Sequence, residues 1–182
     1  MVCVAPAQTW LAAPLPADAL RLNTEAAAAA TPAQAIRLYA QALRAAASNG
    51  PALFGLGILL LEEDQPEKAL TPFRRLNALY PDDPWALTAL ATAIGRLPEL
   101  RRADLQEALG VAERATLLAP EDAEAQHILS LLRHMNGEYA AAEQSARQAV
   151  VLAMAQTNES LGVYQQQEAT CRDALAVFSL LE

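Results

Sequence analysis

Between residues 50 and 83, GPALFGLGILLLEEDQPEKALTPFRRLNALYPDD, apolar positions recur three and four apart over 51–63 and again over 66–80. The spacing predicts two helices joined by the turn Asp64-Gln65-Pro66. With Gly50 as position 1, Leu53, Leu56, Gly57 and Leu60 fall at positions 4, 7, 8 and 11, Ala69 and Phe73 at 20 and 24, and Pro81 at 32. The order returns downstream. Counted from Pro84, Leu87, Leu90, Ala91 and Ile94 take positions 4, 7, 8 and 11, and counted from Ala123, Leu129 and Ser130 take 7 and 8. The step of 12 residues from Gly57 to Ala69 becomes 17 from Ala91 to Ala108, so five residues are inserted near Arg96 to Asp104; thereafter Ala108, Ala112, Ala115 and Pro120 recover the pattern. Asn136-Gly137-Glu138-Tyr139 marks the turn of the last unit, and Ala142, Ala146 and Ala149 its second helix. Gly57, Ala91 and Ser130 share position 8, where a close helix crossing leaves no room for a large side chain.

Upstream, Thr31-Pro32 offers an N-cap followed by Pro at the first helical position, between a helix over about 17–30 and another to about 47. Ala35, Tyr39 and Ala42 then fit positions 20, 24 and 27, whereas Asn23 at position 8 fits poorly. Residues 16–49 are thus a degenerate first repeat, followed by repeats over 50–83, 84–122 with the insertion, and 123–156. A terminal helix over about 159–181 covers the last repeat with Leu161, Val163, Tyr164, Ala174, Leu175 and Phe178. Residues 1–15, with Pro6 and Pro14, are expected to form an irregular lead-in whose Trp10 and Leu11 can tether to the first helices. The expected organisation is one domain over 16–182, all-α, because Ala-rich, Gly-poor sequence with 5% aromatic residues suits closely packed helices.

This arrangement resembles the tetratricopeptide repeat, strongly over 50–156 and less so over 16–49. The resemblance implies a right-handed α-solenoid of antiparallel helix pairs that binds another protein. It also implies that positions 5, 9 and 12 of each first helix line a concave groove: Phe54, Ile58 and Leu61, then Thr88, Thr92 and Gly95 with Arg96 beside them, then His127, Leu131 and His134. Positions so spaced share a helix face. Because Leu53, Leu56 and Leu60 already form a packing stripe, the helix over 51–63 is apolar nearly all round and is either buried on every side or waits for a partner. Members of the family that clamp a chaperone's C-terminal carboxylate carry Lys and Asn at positions 5 and 9. Phe54 and Ile58 depart from that pattern and point to an apolar or amphipathic ligand segment, with Arg96 and the histidines supplying polar contacts. The competing reading fills the groove with the chain's own ends.

Charge and chemistry narrow the function. A net charge of −8 with scattered Lys and Arg argues against a nucleic-acid surface. Cys3 and Cys171 set no disulfide framework and suit a reducing cytosol. The apolar run 56–61 is too short to span a bilayer, and the first twenty residues lack the cationic region of a signal peptide, so a bacterial cytoplasmic location is expected. His127 and His134 lie seven residues apart, about 10.5 Å along a helix, too far to share a metal. No phosphate loop, nucleophile elbow or Cys/His dyad is present, and the acidic pairs at the junctions suit helix N-termini. The expectation is a non-catalytic adaptor or assembly factor without cofactor or metal. A secretion-type chaperone for a hydrophobic client and a self-associating scaffold, a homo-oligomer built on the same apolar helix, are the alternatives.

Overall fold

The computed structural model describes residues 9–11, 13–156 and 159–179, with the side chains of Thr9, Phe178 and Ser179 outside the description. Every regular element among them is helical, and the chain forms two compact units, Met1–Leu100 and Arg101–Glu182.

The first unit holds a 3-10 turn, Thr9–Leu11, then α1 (Ala17–Ala27), α2 (Pro32–Ala45), α3 (Gly50–Glu62), α4 (Pro66–Leu79) and α5 (Pro84–Gly95). Each helix packs on the next, and α3 also touches α1 and α5, so pairs of antiparallel helices stack on their neighbours. The helix starts follow local chemistry. Thr31 Oγ1 accepts from the Gln34 amide, Asn49 Oδ1 from Ala52 and Asp83 Oδ1 from Ala86, and a proline follows each cap within the first two helical positions. The α3–α4 turn uses Asp64 at φ 54°, a left-handed conformation that a short polar side chain tolerates.

Close helix packing converges on Gly57. A Cβ there would lie 2.4 Å from Phe73 Cζ of α4, and Phe73 is wholly buried. Ala91 is buried to the same degree in α5. Asn23, the poor fit of the first repeat, exchanges two 3.0 Å amide hydrogen bonds with Asn49, whose Oδ1 also caps α3. The half-buried Asn23, where the other repeats use a small residue, thereby pairs with the buried Asn49 and satisfies it.

The second unit holds α6 (Arg102–Leu118), α7 (Ala123–Met135), α8 (Tyr139–Gln156) and α9 (Leu161–Ser179), again packed in succession, with α9 also reaching α7. Segment 96–101 carries the inserted residues, and α6 has 17 residues where α4 has 14. Asp104 receives the Arg101 guanidinium at 2.7 and 2.8 Å and its backbone amide at 3.2 Å, closing the start of α6. Asp122 caps α7, and Gly137 takes φ +81° in the α7–α8 turn. Ser130, at the small-residue position of α7, is fully buried and donates to the His127 carbonyl. Against α8, α9 buries Tyr164 and Cys171 and half-buries Leu161, Ala174 and Leu175. Val163 points outward at 59% exposure, contrary to the expectation that it covers the repeat.

Candidate functional site

In the first unit the outer face of α3 is more divided than its uniform apolarity suggests. Leu53, Gly57, Leu60 and Leu61 are buried, while Phe54, Leu56, Ile58 and Leu59 are half-buried. Of the three residues expected to face a groove from α3, Leu61 therefore sits in the core at 4% exposure, and Phe54 and Ile58 retain accessible surface.

Phe54 and Ile58 form one wall of a cleft of about 360 Å³. Gly55 and Leu59 of α3 join that wall, Tyr39 and Pro32 of α2 stand opposite, the alanines of the α1–α2 connection close one end, and Glu62 stands at the rim. Gly55 is what lets Tyr39 come so near: a Cβ would fall 2.6 Å from the Tyr39 ring. Partial burial raises the Tyr39 phenol above its ordinary pKa, so it stays a neutral donor. Apart from Glu62, Thr31 and the Tyr39 hydroxyl, the lining is aromatic, aliphatic, glycine and alanine, and the cleft suits apolar side chains.

The opposite flank of Phe54 is covered by the chain itself. Trp10 stacks on it with ring centroids 5.1 Å apart and planes at 27°, and Phe73 meets it edge-on at 6.2 Å. Trp10 is 3% exposed and packs with Leu53, Leu76, Ala86 and Tyr80, while a Cβ on Gly50 would strike the Trp10 Cβ at 2.5 Å. Trp10 does tether, but mainly to α3, α4 and α5 rather than to the first helices, and Leu11 beside it is 60% exposed.

The α5 positions are less available. Thr88 is buried, its hydroxyl without a hydrogen-bond partner among the described residues, and Thr92 is half-buried and donates to the Thr88 carbonyl at 2.8 Å. Arg96 is exposed and lies 3.6 Å from Asp64.

In the second unit, His127 and His134 of α7 meet different tyrosines. His127 is buried under the Tyr164 ring of α9 at 4.7 Å, and His134 is half-buried, edge-on to Tyr139 at 5.4 Å. Desolvation lowers the His127 pKa, opposed more weakly by Glu124, so the ring stays neutral at neutral pH. The Tyr164 hydroxyl donates to Glu124 at 2.7 Å, and burial first, then that bond, raises its pKa. Leu131 lies half-buried between the two histidines. Sequence periodicity placed these residues on one face and Tyr164 on the helix covering the last repeat, but held no signal that Tyr164, 37 residues away, would meet His127 in particular. Tyr39 went unrecognised because it read as a repeat-packing position, and Leu59 carried no reading of its own, yet both line the cleft.

Residues 51–93, covering most of α3 to α5, match the sequence profile described as the tetratricopeptide repeat. No curated protein matches the chain in sequence. Among solved structures, a thermophilic tetratricopeptide repeat protein of Thermus thermophilus aligns over 86% of this chain and 81% of its own, at 23% identity and a TM-score of 0.67. MamA of Desulfovibrio magneticus aligns over 92% and 97%, at 19% identity and TM-score 0.65. YrrB, described as a tetratricopeptide repeat protein with an unusual peptide-binding site, aligns over 75% and 66%, at 22% and 0.60. The fold is an all-α helical repeat like that of these tetratricopeptide repeat structures, and residues 51–93 carry a matching tetratricopeptide repeat.

Proposed function

We propose that the protein is a non-catalytic adaptor or assembly factor that holds an apolar or amphipathic segment of another protein against the accessible face of α3. The observation that carries this reading is the cleft beside Phe54 and Ile58. Half-buried apolar side chains on a helix that already buries Leu53, Gly57 and Leu60 offer surface to a ligand without loosening the core. Tyr39 adds a neutral hydroxyl and Glu62 a rim charge, enough to orient an amphipathic segment. Thr92 and Arg96 extend the polar part of the surface on α5, with Thr88 and Leu61 supporting it from within. In the second unit Leu131 and His134 form a separate, smaller contact, and His127 acts there as a packed neutral ring.

Selection of displayed peptides on the immobilised protein tests the reading. Binders should be rich in apolar residues and should shift the backbone amide resonances of Tyr39, Phe54, Ile58 and Leu59. Peptides that bind tightly while shifting none of these four would overturn it.

A further inference from the structure

The seat formed by Leu53, Leu76, Ala86 and the Phe54 ring is filled by Trp10, a side chain of the chain's own. Three features set it apart from ordinary core. It depends on a glycine, because any Cβ at Gly50 would collide with the Trp10 Cβ at 2.5 Å, so the incoming segment approaches the start of α3 at backbone range. The residue beside the occupant adds little to its hold: Trp10 is 3% exposed, but Leu11 is 60% exposed. The fit is also incomplete. The indole Nε1 is buried with no hydrogen-bond partner among the described residues, and a buried donor without an acceptor offsets part of what the stack on Phe54 contributes.

We infer that Trp10 is an internal stand-in, and that the partner segment of the proposed function carries a large aromatic anchor that displaces it from Phe54, Gly50 and Leu53. This deepens the adaptor reading by naming the partner's chemistry and rests on it. Phe54 is the shared element, with Trp10 on one flank and the cleft on the other, so a segment lying along α3 reaches both. An aromatic anchor without an N–H fills the seat better than the indole does, since it buries the same kind of surface and leaves no donor unpaired. In the intact chain the tethered Trp10, at an effective concentration in the millimolar range, holds the seat against weak competitors and yields to strong ones.

The test is a calorimetric titration of a synthetic peptide of residues 7–16, AQTWLAAPLP, into wild type and into Trp10→Ala. Trp10→Ala should bind the peptide at least about tenfold more tightly than wild type, whose own segment competes. A peptide with 3-benzothienylalanine in place of Trp10, the same shape without the N–H, should bind a few-fold tighter still. Failure of folded Trp10→Ala to bind either peptide would overturn the inference, as would equal binding to both proteins. If Trp10→Ala does not fold, full-length protein cut at a protease site engineered after Pro14 answers the same question: the severed segment should exchange with labelled peptide, and a segment that never exchanges refutes the stand-in role. Loss of this result, with peptides still mapping to Ile58 and Tyr39, would leave the adaptor reading intact and make Trp10 a fixed part of the core.

Discussion

Glycine-to-alanine substitution should have opposite signs at Gly57 and Gly110, for reasons visible in what each added methyl meets. In a helix interior the exchange itself contributes about 1 kcal/mol of helix propensity in favour of Ala. At Gly110 in α6 nothing lies within 4 Å of the new Cβ, so most of that gain survives and the melting temperature should rise by about 1–4 °C. At Gly57 the Cβ would lie 2.4, 2.5 and 2.9 Å from Phe73 Cζ, Cε1 and Cδ1, and the ring, with no exposed surface, has nowhere to turn. Overpacking of this kind costs about 1–3 kcal/mol, and with the ring held on all sides the cost falls in the upper part of that range, so Gly57→Ala should lose up to about 2 kcal/mol net and melt up to about 8 °C lower. Gly55→Ala separates steric contact from burial. Its Cβ would meet the Tyr39 ring at 2.6 Å, but that ring is half-buried beside the cleft and has room to move, so the net change should be near zero. Scanning calorimetry is the assay, because two compact units can melt in separate transitions and each glycine must be read on its own. A Gly57→Ala protein at least as stable as Gly55→Ala would refute the helix contact drawn here.

Other substitutions probe the seat, the buried histidine and the polar pair. In a Trp85→Phe background, Gly50→Ala should expel Trp10 and raise its quenching by iodide, whereas unchanged quenching would mean that the 2.5 Å contact is not real. His127 has a folded pKa below the usual 6.5, so the unfolded chain takes up a proton that the fold refuses, and stability falls as pH drops through 6.5. Wild type should therefore lose more melting temperature between pH 7.5 and 5.5 than His127→Gln, and equal losses would contradict the burial of the ring. Asn49→Ala removes the α3 cap and leaves Asn23 without its partner, for an expected loss of about 2–3 kcal/mol in urea unfolding; a loss below about 0.5 kcal/mol would show that water replaces both.

Local physics made most of the fold legible in the sequence. Thr31, Asn49 and Asp83, each followed closely by Pro, and Asn136-Gly137 act within a few residues of themselves, so helix boundaries could be read from them. The small residue at Gly57 was legible because the 34-residue spacing fixes which helix it meets. What stayed hidden depends on distant pairing. Asn23 read as a misfit because its partner Asn49 lies 26 residues away, and Leu61 read as a groove residue because periodicity gives a face but not what packs against it. Trp10 was recognisable as a tether, but that it would stack on Phe54 against a glycine needed the coordinates.

The central claim, that the accessible face of α3 receives a partner segment, is tested most directly by titrating a selected apolar peptide into wild type and Ile58→Asp. Ile58 is half-buried, so a carboxylate there keeps contact with water; at Leu61, 4% exposed, the same change would strand a charge in the core. The account predicts that Ile58→Asp melts within about 5 °C of wild type and binds the peptide at least about tenfold more weakly, while Leu61→Asp fails to fold. Undiminished binding by a folded Ile58→Asp protein would contradict it.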